Sequence, residues 1–296
     1  MSTVKNYLSL VKFSHTIFAL PFALIGFALG VINHEANRLN IGPWYIRYGI
    51  TFLLVLLCMV TARSAAMAFN RYLDRQFDAK NPRTASREIP AGIISASNAL
   101  NFTIGSCILF IVATYFINPL CFYLSPVALF IILFYSYTKR FTALCHLVLG
   151  IGLSLAPIGA YLAVTGRFDV LPILFSFAVV FWVSGFDIIF ALQDIAFDQS
   201  QDLYSIPAVV GTAKGLKISE LLHLISAACV IASGFYGHFH WLYWIGVALF
   251  VGMLIYQHAI VKPNDLSKVN IAFMTANGIA SVVFAVFVIA DLIAFL

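Results

Sequence analysis

The chain has 296 residues, of which 62% are hydrophobic and only 10% charged. A soluble domain carries about 25% charged residues, and no polar stretch here is long enough to build a separate core. Composition therefore excludes a soluble fold and points to one integral membrane domain over residues 1–296, while the net charge of +5 fits the positive-inside bias better than a nucleic-acid partner.

A spanning helix needs about 20 mostly apolar residues. Such stretches run in chain order over roughly 14–33, 46–72, 97–117, 121–138, 144–165, 170–193, 215–236, 240–260 and 270–295. They predict an all-α integral membrane fold, a bundle of nine transmembrane helices around a central cavity. The first apolar run continues too far for a secretory signal, so it is expected to stay as an anchor. Short breaks at Asn118-Pro119, Thr165-Gly166-Arg167 and Gly237-His238 separate neighbouring helices. Two longer polar connections cover 73–96 and 194–214.

With the N-terminus in the cytoplasm, alternation puts Lys5, Lys12, Arg71, Arg75, Lys80, Arg83, Arg87, Lys139, Arg140, Lys214, Lys217, Lys262 and Lys268 on the inner side. Arg38, Arg47 and Arg167 fall outside. This asymmetry predicts a multi-pass protein of a bacterial-type inner membrane, its N-terminus cytoplasmic and its cavity open toward the cytoplasmic side. Cys58, Cys107, Cys121, Cys145 and Cys229 lack paired spacing and read as small apolar residues. His15, His146, His223, His238 and His240 read as interfacial or core residues, with no cluster for haem or zinc.

Two aspartate pairs stand out, Asp74-x-x-x-Asp78 and Asp194-x-x-x-Asp198. Carboxylates are costly beside a hydrocarbon core, so four of them on two segments point to a shared task. On a helix, Arg63, Met67, Asn70, Asp74 and Asp78 fall on one stripe, and Asp187, Ala191, Asp194 and Asp198 on another. Magnesium takes hard oxygen ligands and commonly bridges carboxylates to phosphates. Facing pairs would hold Mg2+ and, through it, the diphosphate of an isoprenoid substrate, with Asn70 adding a neutral oxygen. Lys139 and Arg140 would neutralise a leaving diphosphate, or serve only as a topology signal. Arg63 lies ~10 Å deeper than Asn70. It would pair with Asp187 or another cavity carboxylate, or read a carboxylate on an aromatic substrate.

The stretch from Asn70 through Asp74, Asp78, Asn81-Pro82-Arg83-Thr84 and Arg87 to Gly92 resembles the first signature of the UbiA superfamily of membrane prenyltransferases. The run from Asp187 through Phe190, Asp194 and Asp198 to Tyr204-Ser205-Ile206-Pro207 resembles its second, and Tyr135 to Thr142, with Lys139-Arg140, its basic motif. The branch resembled is the 4-hydroxybenzoate polyprenyltransferase-like one. Arg71 stands where the family often has aspartate, and Phe190 where it often has tyrosine; ~100° of helix rotation from Asn70 takes Arg71 off the polar stripe.

The resemblance implies Mg2+-dependent transfer of a polyprenyl group from its diphosphate to an aromatic acceptor such as 4-hydroxybenzoate, in quinone biosynthesis. A naphthoate-type acceptor of menaquinone biosynthesis by the futalosine route is the alternative. Asp74, Asp78, Asp194 and Asp198 would bind magnesium-diphosphate, Lys139 and Arg83 would stabilise the leaving group, and Asp187 or the acceptor's own phenolate would take the proton. Two other classes compete. A secondary transporter would carry its charges near the bilayer midplane rather than at helix ends. A phosphatase of isoprenoid diphosphates would need an activated water and no aromatic pocket.

Overall fold

The computed structural model describes residues 3–12, 16, 18–35 and 44–295, with the backbone alone for Thr3, 34–35 and 44–47. His15 and Arg38 lie outside the described residues, as does the side chain of Arg47. The chain forms α1 (Thr3–Leu10), α2 (Leu20–Glu35), α3 (Trp44–Lys80), α4 (Ala96–Ile117), α5 (Pro119–Thr138), α6 (Cys145–Thr165) and α7 (Val170–Ala191). Then follow α8 (Ile195–Ser200), α9 (Ile206–Val210), α10 (Thr212–Tyr236), α11 (Trp241–Ile260) and α12 (Asn277–Ala294). No strand occurs among the described residues.

Among the described residues, eight helices rather than the expected nine are long and apolar enough to cross a bilayer; the stretch expected at 14–33 contains the shorter apolar helix Leu20–Asn33. Hydropathy thus located every long span, although α3 continues to Lys80, well past the expected end near 72. That extension carries the first aspartate pair on regular helix.

Helix breaks follow local chemistry. Asn118 ends α4 and caps α5, its side chain accepting from the Cys121 N–H while Pro119 occupies the first turn. Gly166 takes a left-handed φ of 65° that closes α6. Asp169 caps α7.

Packing between helices relies on small residues, as expected where lipid removes the usual hydrophobic drive. A Cβ on Gly26 of α2 would fall 2.0 Å from the Pro157 carbonyl oxygen of α6. The same test at Gly150 of α6 gives 2.4 Å to the Val180 carbonyl oxygen of α7. α7 lies between α6 and α10, while α2 touches both α6 and α12. The main core is aromatic, with Phe22, Phe175, Trp182, Tyr243, Phe250 and Phe284 fully enclosed. Within it Trp182 Nε1 and Gln257 Nε2 both donate to Asn277 Oδ1, at 2.8 and 2.9 Å. Asn277 in turn donates to the Ala272 and Phe273 carbonyls, both at 3.0 Å, beside the π-helical turn Ile271–Ala276. The outer faces are apolar, with Phe116, Phe130, Leu224 and Ile293 exposed for lipid.

Candidate active site

The last turns of α3 leave the apolar part of the helix and carry Asn70, Asp74 and Asp78. Asp74 accepts from Arg140 at 2.8 Å and from Asn70 at 3.0 Å. Asp78 accepts from Arg87 at 2.6 Å. Its other oxygen is buried 4.0 Å from Arg71 Nη1, with no hydrogen-bond partner among the described residues. Arg71 is 4% exposed, so the residue expected to leave the polar stripe instead stands within the charge cluster. A guanidinium reaches far enough to cross the ~100° its Cα is turned away.

The second segment departs from the predicted stripe. α7 stops at Ala191, residues Leu192–Asp194 form a 3₁₀ turn, and α8 resumes at Ile195. A 3₁₀ turn advances about 120° per residue rather than 100°. Asp187 therefore does not share a continuous face with Asp194 and Asp198. Arg83 grips Asp194 through two contacts, Nε at 3.0 Å and Nη2 at 2.5 Å, and Asn81 adds a longer one at 3.4 Å. Asp198 lies 2.7 Å from Lys139 Nζ and accepts from Ser205 at 3.0 Å.

Four basic groups thus tie the acid segments together. Lys139 and Arg140, adjacent at the end of α5, reach opposite segments. Arg83 and Arg87, on the connection after α3, do the same. Lys80 and Gln201 add a contact of 3.2 Å between the two segments. Burial works against the charge on Lys139, but the Asp198 carboxylate outweighs it and holds the ammonium pKa above its ordinary value.

A cavity of about 900 Å³ runs from this cluster between α3, α4, α5, α6 and α7. Arg63, Asn70, Arg83, Arg87, Asp187 and Phe190 line it. The four paired aspartates do not; Arg83 and Arg87, the partners of Asp194 and Asp78, line it in their place, while Lys139 and Arg140 do not. Arg83 also lies 5.2 Å over the Phe190 ring, which packs on Phe273 with centroids 4.3 Å apart. The cavity's far wall is apolar and reaches Phe168 beyond the end of α6.

Arg63 pairs with no carboxylate among the described residues. It donates to the Lys12 carbonyl at 3.1 Å, and its buried Nε has no hydrogen-bond partner there. Asp187 is instead held by His146, whose Nδ1 is 2.6 Å from Asp187 Oδ2. His146 is thus a core histidine joined to a cavity residue. Sequence reasoning also gave Arg87 only a topological part. Arg87 sits inside the first motif and His146 just past the basic one, but their partners are 9 and 41 positions away, and no helical periodicity links them.

The donor set suits magnesium, because all four carboxylates offer hard oxygens and Asp78 holds a buried oxygen without a hydrogen bond among the described residues. Among the described residues, no three His, Cys, Asp or Glu side chains stand together as a self-sufficient metal cage. Magnesium commonly takes one or two carboxylates and completes its shell with water and phosphate oxygens.

Residues 19–279 match the UbiA prenyltransferase family. The chain belongs to that family. Its membership makes the chain a polyprenyltransferase of multi-pass, all-helical architecture. Among UbiA relatives, the 4-hydroxybenzoate octaprenyltransferase of Tolumonas auensis is 30% identical over 246 residues, covering 82% of this chain and 86% of its own. The apo structure of a UbiA homologue from Aeropyrum pernix K1 gives a TM-score of 0.77 at 28% identity, over 95% of this chain and 98% of that one. A UbiA homologue from Archaeoglobus fulgidus, solved bound to DMAPP and Mg2+, gives 0.75 at 20% identity, over 98% of this chain and all of the other; that likeness is one of fold.

Proposed function

We propose that this enzyme transfers a polyprenyl group from its diphosphate to an aromatic acceptor of the 4-hydroxybenzoate type, with Mg2+, in quinone biosynthesis. The observation that carries the reading is the placement of four ion-paired aspartates at the head of a long apolar cavity that also contains Arg63. The Tolumonas relative's name and the Archaeoglobus complex support the substrate classes. We read residues 1–296 as a single such domain, with its N-terminus and the acid cluster at the cytoplasmic face of an inner membrane; the basic residues gathered at that end support this orientation.

In this reading Asp74, Asp78, Asp194 and Asp198 hold the metal. Bound Mg2+ would neutralise diphosphate charge and polarise the allylic C–O bond. Each aspartate already has a basic partner, so binding is an exchange. The carboxylates would hold the cation, and Lys139, Arg140, Arg83 and Arg87 would be free to meet the diphosphate oxygens. Charge grows on those oxygens as the C–O bond breaks, and the four donors are then worth most. Asn70 orients Asp74 through the hydrogen bond described above.

The apolar wall accepts the prenyl chain and excludes water, which would quench an allylic cation. Phe190 and other cavity rings offer π faces to that cation. Arg63, unpaired to any described carboxylate, binds the carboxylate of the acceptor.

The test is an assay in membranes with an allylic diphosphate, Mg2+ and a panel of hydroxybenzoic and hydroxynaphthoic acids, read by product mass. A prenylated ring is expected from a hydroxybenzoate. Diphosphate release with no adduct from any acid would overturn transfer in favour of hydrolysis.

A further inference from the structure

Resting on the transfer reading above, one step still lacks a residue: removal of the proton from the prenylated ring. Arginines line the cavity and cannot accept it at neutral pH. Asn70 is an amide. Tyr135 also lines the cavity, but a phenol with an ordinary pKa of about 10 is protonated at neutral pH and is no base. Among the described residues, the carboxylates lining the cavity are Glu88 and Asp187. Glu88 is buried and engaged by Ser9 at 2.5 Å.

Asp187 differs. Its side chain is 17% exposed, whereas the His146 ring behind it is 2% exposed. His146 Nε2 accepts the Ile206 backbone N–H at 3.3 Å, which leaves the ring hydrogen on Nδ1, aimed at Asp187 Oδ2. The histidine's one acceptor nitrogen is thereby occupied, and only the aspartate offers a basic atom to the cavity. The backbone also ties this pair to the acid cluster, since Ser205, next to Ile206, donates to Asp198.

We propose that Asp187 is the base of the transfer reaction and that His146 is its positioning residue. The allylic C–O bond breaks, with its electron pair leaving on diphosphate. A ring carbon of the acceptor forms the new C–C bond to the allylic carbon. The C–H bond at that ring carbon then breaks, its electrons restore aromaticity, and the proton passes to an oxygen of Asp187. His146 fixes the carboxylate through Oδ2 and does not itself meet the ring.

The experiment uses the full chain in nanodiscs with geranyl diphosphate, Mg2+ and 4-hydroxybenzoate, unlabelled or deuterated beside its hydroxyl. Asp187→Asn is expected to slow adduct formation by about 10²–10⁴-fold. The same change should produce a deuterium isotope effect larger than that of the wild type, because C–H cleavage becomes limiting, with donor KM little changed. His146→Phe should move rate and isotope effect in the same direction. His146→Asn, which keeps a donor near Nδ1, should restore part of both, whereas a purely structural role would move neither isotope effect. Wild-type rate and isotope effect in Asp187→Asn would overturn the assignment. If Asp187→Asn fails to fold, an isotope effect unchanged in both His146 variants would overturn it. Absence of any adduct from the wild type would remove the transfer reading itself and this base with it; an adduct made at full rate by Asp187→Asn removes the base alone.

Discussion

Lys139 Nζ stands 2.7 Å from Asp198 Oδ1, at the point where the end of α5 meets the second acid segment. The next residue, Arg140, reaches Asp74 on the first segment at 2.8 Å. One dipeptide therefore spans both halves of the acid cluster.

Lys139→Gln should raise the donor KM by about tenfold or more and leave the acceptor KM nearly unchanged, since a hydrogen bond to a charged group is worth roughly 1.5–3 kcal/mol. The lysine's pKa is held above its ordinary value, so the contact is complete below about pH 10.4 and fades only as pH rises through the raised value. The ratio of wild-type to Lys139→Gln donor KM should accordingly stay flat between about pH 6 and 9. Donor kinetics across that range check this; equal donor KM values would remove Lys139 from the diphosphate site.

Arg63→Ala should act on the other substrate. Its guanidinium faces the cavity with a buried Nε that no described group accepts from. The acceptor KM should rise about 10- to 100-fold, and more than the donor KM. A rise confined to donor KM would give Arg63 to the diphosphate instead.

Gly159 and Gly152 lie on the cavity side of α6, and a Cβ at either meets no atom within 4 Å. Gly159→Leu should therefore insert apolar bulk into open space without disturbing the helix contacts. Long isoprenoid donors should lose kcat/KM while a ten-carbon donor keeps it. A panel of donor lengths measures this, and an unchanged profile would place the prenyl chain elsewhere.

Gly26→Ala should instead act on stability. Its added carbon would collide with the Pro157 backbone, and overpacking of this kind costs roughly 1–3 kcal/mol. Thermal unfolding in detergent should show a lowered Tm with donor KM unchanged in the folded fraction.

The elements that sequence made legible were those set by local composition. Hydropathy located the spans because each stretch is apolar on its own. The first aspartate pair was legible because α3 stays regular through Asp78. The second was misread in phase, because a 3₁₀ turn at Leu192–Asp194 interrupts the helix and its tighter winding shifts the residues that follow. Arg71 was displaced in expectation because helical phase describes Cα positions and not the reach of a guanidinium. The ion pairs Arg83–Asp194 and His146–Asp187 join segments 111 and 41 residues apart, and nothing local announces them.

The central claim is that the acid cluster holds magnesium-diphosphate for prenyl transfer. Its most direct test is product mass from membranes containing equal amounts of wild type, Asp74→Ala and Asp194→Ala, supplied with allylic diphosphate, Mg2+ and 4-hydroxybenzoate. The account predicts a drop of at least about 100-fold in both variants, the scale seen when transition-state charge loses a stabilising partner, with each variant still inserted in the membrane. Near wild-type product in both would contradict it.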